Sequence, residues 1–116
     1  MYINRSLEMV RGDTFAFNLE LEGLEGLTIK DVSFCVKHNE RDLDAVALVK
    51  KTLGNGVTQI GEDKYQIRVA PEDTERVQPG RYVYDLELSV ANEVYTLLKG
   101  RIKIWQDVKH ERSQNA

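Results

Sequence analysis

Cys35 and His38 are the closest approach in sequence of a thiol and an imidazole, and His110 is the only other histidine. Nucleophilic catalysis needs a nucleophile, a base and a group that orients the base. If the strand around Cys35 continues, alternation sends residues 35 and 38 to opposite faces. A half-buried thiol and a surface histidine account for both. Carboxylates recur as Glu62-Asp63, Glu72-Asp73 and the alternate pair Asp85 and Glu87. The first two pairs fall in turns, where acidic side chains bond locally. Asp85 and Glu87 share one strand face and are spaced to flank a sugar. Lys99, Arg101 and Lys103 offer them ordinary ion-pair partners instead. No His, Cys or carboxylate spacing suits a metal, and Gly54-x-Gly56 precedes no helix that would cradle a phosphate. Arg11-Gly12-Asp13 spells a tripeptide that integrins read, but serves better as a turn into the first strong strand. The expectation is a chain that is not an enzyme and uses no cofactor.

The elements that must position these residues repeat with a period of two. Phe15, Phe17, Leu19 and Leu21 alternate with Ala16, Asn18 and Glu20, which marks a half-buried strand. Gly23 and Gly26 interrupt it. Val32, Phe34 and Val36 form the inner face of a second strand, with Ser33, Cys35 and Lys37 outside. Residues 39–44 read as a polar loop and Ala45 to Val49 as a third strand. Gly54-Asn55-Gly56 is a turn. Strands are expected over 57–60 and 64–69, with Tyr65, Ile67 and Val69 sharing a face. Pro71-Glu72-Asp73-Thr74 has a proline early and carboxylates near the N-terminal end, as one helical turn would. Gln78-Pro79-Gly80 is a further turn.

The final hairpin has the clearest pattern. Tyr82, Tyr84, Leu86, Leu88 and Val90 share one parity, and Val94, Leu98, Ile102 and Ile104 share the other. Opposed residues of an antiparallel pair lie on one face. A three-residue loop, Ala91-Asn92-Glu93, therefore sets Val90 opposite Val94 and Leu86 opposite Leu98. The same register sets Asp85 opposite Lys99 and the Tyr84 ring over Gly100. It leaves Tyr95, Leu97 and Trp105 outside, beside Lys99, Arg101 and Lys103. Exposed large aromatics mark contact surfaces, so Tyr95, Leu97 and Trp105 form a candidate interaction surface. The alternative for Trp105 is cover by the chain's own N-terminus.

Size and charge narrow the function. The 116 residues fit a single domain, expected over 1–108 with a polar, fraying tail over 109–116. The net charge of −3 and pI near 5.4 lack the basic footprint of a nucleic-acid binder. No apolar run approaches the ~20 residues of a membrane span, and the N-terminus lacks the apolar run of a secretory signal. With one cysteine, no intrachain disulfide forms. About seven short strands with almost no helix indicate an all-β, immunoglobulin-like antiparallel sandwich with one short helical turn. Asp73 before Tyr82 resembles the corner of such domains, where a tyrosine hydroxyl bonds back to the backbone. Tyr84 then occupies the second disulfide cysteine's position, and packing alone must close the sandwich.

Several segments together resemble the small immunoglobulin-like proteins of bacteriophage tails, including the N-terminal domain of baseplate upper proteins. They are Arg11-Gly12-Asp13-Thr14-Phe15, Asp31-Val32-Ser33-Phe34-x-Val36-Lys37 and Pro71-Glu72-Asp73-Thr74. They continue with Pro79-Gly80-Arg81-Tyr82-Val83-Tyr84-Asp85-Leu86, Val94 to Gly100, and Ile102-x-Ile104-x-x-Asp107-Val108. The resemblance implies a non-enzymatic virion component of a phage or prophage. Its partners would be other tail proteins and further copies of itself, with neither nucleic acid nor membrane. Such a protein would sit in the host cytoplasm during assembly and then in the virion. The alternative class is a carbohydrate- or protein-binding module of a cell-surface adhesin.

Overall fold

The computed structural model describes residues 3–23 and 26–108. The tail expected over 109–116 lies outside them. Nine strands are present among the described residues: β1 (Ile3–Asn4), β2 (Leu7–Val10), β3 (Phe15–Glu20), β4 (Ile29–Lys37), β5 (Val49–Leu53), β6 (Gly56–Gly61), β7 (Lys64–Val69), β8 (Gly80–Val90) and β9 (Glu93–Trp105). One helical turn, α1 (Pro71–Thr74), lies where the proline and carboxylates placed it.

The strand path runs β1-β9-β8-β4-β5-β6-β7-β3, with β2 also on β9. It turns over at a short parallel pairing of β5 with β6, Thr52 to Gly56 and Leu53 to Val57. The two halves thus face each other as layers: β1/β2, β9, β8, β4 and β5 on one side, β6, β7 and β3 on the other. Phe17 of β3 and Phe34 of β4, distant along the path, meet edge-on at 5.6 Å between ring centres. This is an immunoglobulin-like β-sandwich.

Alternation builds the core. Val32, Phe34 and Val36 of β4 and Tyr82, Tyr84, Leu86, Leu88 and Val90 of β8 are buried, as are Ile102 and Ile104 of β9 and Tyr65, Ile67 and Val69 of β7. Where antibody domains carry an inter-sheet disulfide, this chain stacks aromatics. Phe17 meets Phe34, and Phe34 meets Tyr84 at 5.7 Å. Such pairs contribute about 0.5–1.5 kcal/mol each beyond the area they bury.

Three features depart from the sequence reading. First, Ala45 to Val49 is not a strand. Asp44–Val46 form a 3₁₀ turn, and β5 starts only at Val49. Lys37 and Asp44 hold that turn, Nζ to Oδ1 at 2.6 Å, an interaction outside the reach of strand periodicity.

Second, the sheets are mixed: β1 and β2 pair parallel with β9. The first ten residues carry too few alternating apolar positions to announce a strand.

Third, the loop of the last hairpin has two residues, setting Val90 opposite Glu93 and Ser89 opposite Val94. A bulge at Leu97 then restores the expected register, so Leu86–Leu98, Asp85–Lys99 and Tyr84–Gly100 pair as read. A bulge adds one residue to one strand, which switches the face of everything beyond it.

Candidate interaction face

The outer surface of the larger layer gathers most of the chemistry singled out above. Its rows follow from the pairings. Lys50, Cys35, Asp85 and Lys99 stand side by side across four strands. Lys37, Val83 and Arg101 form the next row, and Arg81 faces Lys103 in the last.

A shallow hollow of about 220 Å³ lies over the first row, bordered by Cys35, Lys37, Glu40, Asp85 and Lys99. The loop after β4 folds towards it. Lys37 Nζ donates to the Asp42 carbonyl at 3.0 Å and to Asp44, and Lys50 approaches Asp44 at 3.8 Å. This explains why Cys35 is buried although it lies on the outward parity. Burial, then the Asp44 and Asp85 carboxylates, pushes its thiol above the ordinary value. A raised pKa disfavours the nucleophilic thiolate. The His38 ring packs 5.1 Å from the Tyr82 ring, and Tyr82 belongs to the inner set, so Cys35 and His38 are not brought together.

Burial also raises the Asp85 carboxyl, against the opposing pull of Lys37 and Lys99. Glu87 is raised by burial and by neighbouring Asp85. The Leu97 bulge sets Glu87 opposite Thr96.

The three residues expected to share an outer patch do not lie on one face. Tyr95 stands opposite Leu88, a core residue, and so shares its parity. It remains half-exposed, its hydroxyl donating to Glu93 at 2.6 Å. Leu97 is the bulge residue and packs partly against the core. Trp105 alone keeps the outward parity with Lys103. Its ring lies 3.6 Å beneath Lys103 Nζ, and its Nε1 donates to Glu8 at 2.8 Å. The N-terminal strand does run beside it, Val10 against Trp105, yet 44% of the residue remains exposed. Arg81, Arg101 and Lys103 border a second hollow with Ser6, Leu7 and Glu8. The result is an exposed indole at the end of a basic stripe.

The two corner residues have separate partners. The Tyr82 hydroxyl donates to the Gln78 carbonyl. Asp73 accepts the Ala70 N–H at 2.7 Å and pairs with Lys51 at 2.8 Å, tying α1 to β5. The Arg11-Gly12-Asp13 turn is turned to internal use. Arg11 bonds Asp107 at 2.9 Å, and the Gly12 N–H donates to the fully buried Thr74 hydroxyl at 2.9 Å.

No protein family matches the chain, and no curated protein does. Solved structures do. The chain is similar to part of the endo-beta-1,4-mannanase from Thermotoga petrophila, with a TM-score of 0.58 and 14% identity. That match covers 88% of this chain and 18% of the mannanase chain. It is also similar to the NK cell receptor Nkp44, with a TM-score of 0.55 and 12% identity over 89% of this chain and 97% of that one. Likeness at these identities establishes the immunoglobulin-like fold.

Proposed function

We propose that this chain is a non-enzymatic assembly protein that docks on partners through the outer face of β8 and β9, with Trp105 as anchor. The observation that carries the reading is an indole 44% exposed at the end of the stripe of Arg81, Arg101 and Lys103. Tryptophan and arginine dominate binding energy where they become desolvated, and the stripe of Arg81, Arg101 and Lys103 favours an acidic partner surface. The setting follows from the tail-protein resemblance: a structural component of a phage or prophage tail or baseplate, made in the host cytoplasm and carried in the virion. Modest patches suffice there, because contacts between many copies act together.

Mass spectrometry of particles purified after prophage induction tests the setting. The tryptic peptide from Tyr82 to Lys99 has no internal Lys or Arg and is a suitable reporter. Stoichiometric recovery supports the virion reading; intact particles lacking the peptide refute it. Trp105→Ala tests the face: incorporation should fall while the melting temperature holds.

A second reading is a protein- or carbohydrate-binding module of a cell-surface adhesin. The whole-length likeness to Nkp44, a receptor, favours it. Binding to host cells by the isolated protein, with no incorporation into particles, would select it.

A further inference from the structure

The two layers end differently. On one side β5 carries Lys50 and Lys51 and is linked to β6. On the other, β1 and β2 cover β9, while β3 ends its layer with β7 as its only paired strand among the described residues. In sandwiches of this kind the first strand can lie beside the second. Here both N-terminal strands join β9, and no described strand pairs with the outer edge of β3.

The backbone valence of that edge is readable. The Leu21 N–H donates to the Asp63 carbonyl at 2.8 Å, one step beyond the Glu20–Lys64 pair and in the same register. In an antiparallel ladder, residues that bond the partner alternate with residues whose N–H and C=O point away. Odd residues of β3 therefore bond β7, and Ala16, Asn18 and Glu20 direct their amides outward. All three are exposed. Proteins blunt such edges with lysine, proline or a bulge. β3 reads Phe-Ala-Phe-Asn-Leu-Glu and pairs with β7 without a break. It has none of these devices. Its inward side chains Phe15, Phe17 and Leu19 are only half-buried, whereas Tyr65, Ile67 and Val69 beside them are buried.

We propose that β3 pairs with β3 of a second copy, antiparallel about a two-fold axis at Asn18. In that register Ala16 faces Glu20 of the other copy, and Asn18 faces its counterpart. Each bonded pair exchanges two hydrogen bonds, giving about six in all. Phe17 then faces Leu19, and Phe15 faces Leu21, extending the core side of the layer. No like charges oppose one another, because Glu20 is the strand's single charge. The contact is self-complementary, as a two-fold interface requires. It lies on the layer opposite Trp105 and does not depend on the outer-face reading. The buried area is below that of standard interfaces, so dimerisation is weak and concentration-dependent.

Sedimentation velocity of the full chain over a wide concentration range tests this. The parent should show a reversible monomer–dimer equilibrium. Asn18→Pro removes an outward N–H and no bond to β7, and should raise the dissociation constant at least about tenfold. A parent that stays monomeric throughout, or an equally tight Asn18→Pro dimer, overturns the proposal. If Asn18→Pro unfolds, a cysteine variant decides. Opposed residues at a bonded pair lie ~5.5 Å apart, within disulfide reach. Asn18→Cys with Cys35→Ser should oxidise to a covalent dimer, and Ala16→Cys in the same background should not. A folded Asn18→Cys protein that fails to cross-link refutes the register.

Discussion

Tyr84 and Gly100 stand directly opposite each other on β8 and β9, and both meet the backbone of Arg5. The Tyr84 hydroxyl donates to the Arg5 carbonyl at 2.7 Å, and the Arg5 N–H donates to the Lys99 carbonyl at 3.1 Å. The space a side chain would occupy at residue 100 is taken by the Arg5 carbonyl, with the Asn4 Oδ1 3.0 Å away. The glycine is needed for the approach of the N-terminal strand.

Gly100→Ala should therefore destabilise the fold by about 1–3 kcal/mol, because the obstacle is backbone and cannot rotate away. Urea titration reads the loss. Limited trypsin digestion should show faster cleavage after Arg5 in the variant than in the parent.

Tyr82→Phe removes the hydroxyl that reaches the Gln78 carbonyl and leaves the ring in place. Since Gln78 is exposed, water can replace the lost donor. The expected loss is about 0.5–1.5 kcal/mol, measured as a lower denaturant midpoint at unchanged slope.

Ala91 opens the last hairpin turn with φ at 51°, at the position where a two-residue turn with this geometry prefers glycine. Ala91→Gly should stabilise the protein by up to about 1 kcal/mol. A rise in melting temperature checks it.

Asp85→Asn should gain stability in a pH-dependent way. Burial lifts the Asp85 carboxyl above its ordinary value of 3.8, so on raising the pH the unfolded chain ionises first. The parent loses stability as pH climbs from about 3.8 through the raised folded value. The variant's advantage should be absent below that window and full above it. Paired unfolding curves at acidic and neutral pH measure the difference.

The sequence made the inner surfaces legible because each of their strands must alternate to bury one side. β4, β7 and β8 follow that rule, and the Tyr84–Gly100 pairing came from it. The rule fails where a residue's position is set by something other than alternation. Leu97 and Leu98 are both apolar, so parity cannot say which is the inserted one, and only an unbroken strand would put Tyr95, Leu97 and Trp105 on one patch. Cys35 is buried by a loop held through Lys37 and Asp44, an ion pair between residues seven apart. The bond from Tyr82 back to Gln78 is legible because its two partners lie four residues apart. The outer edge of β3 is not, since it depends on where β1 and β2 go.

The parallel seating of β1 and β2 on β9 has a mechanical consequence. Ile3 lies beside Leu98, and Val10 beside Trp105. A pull outward through Ile3 and Trp105 in opposite directions slides these strands along each other. Every bond between them is then loaded at once instead of opening in turn, so the domain should resist stretching between those points far better than peeling of β1 sideways from its edge.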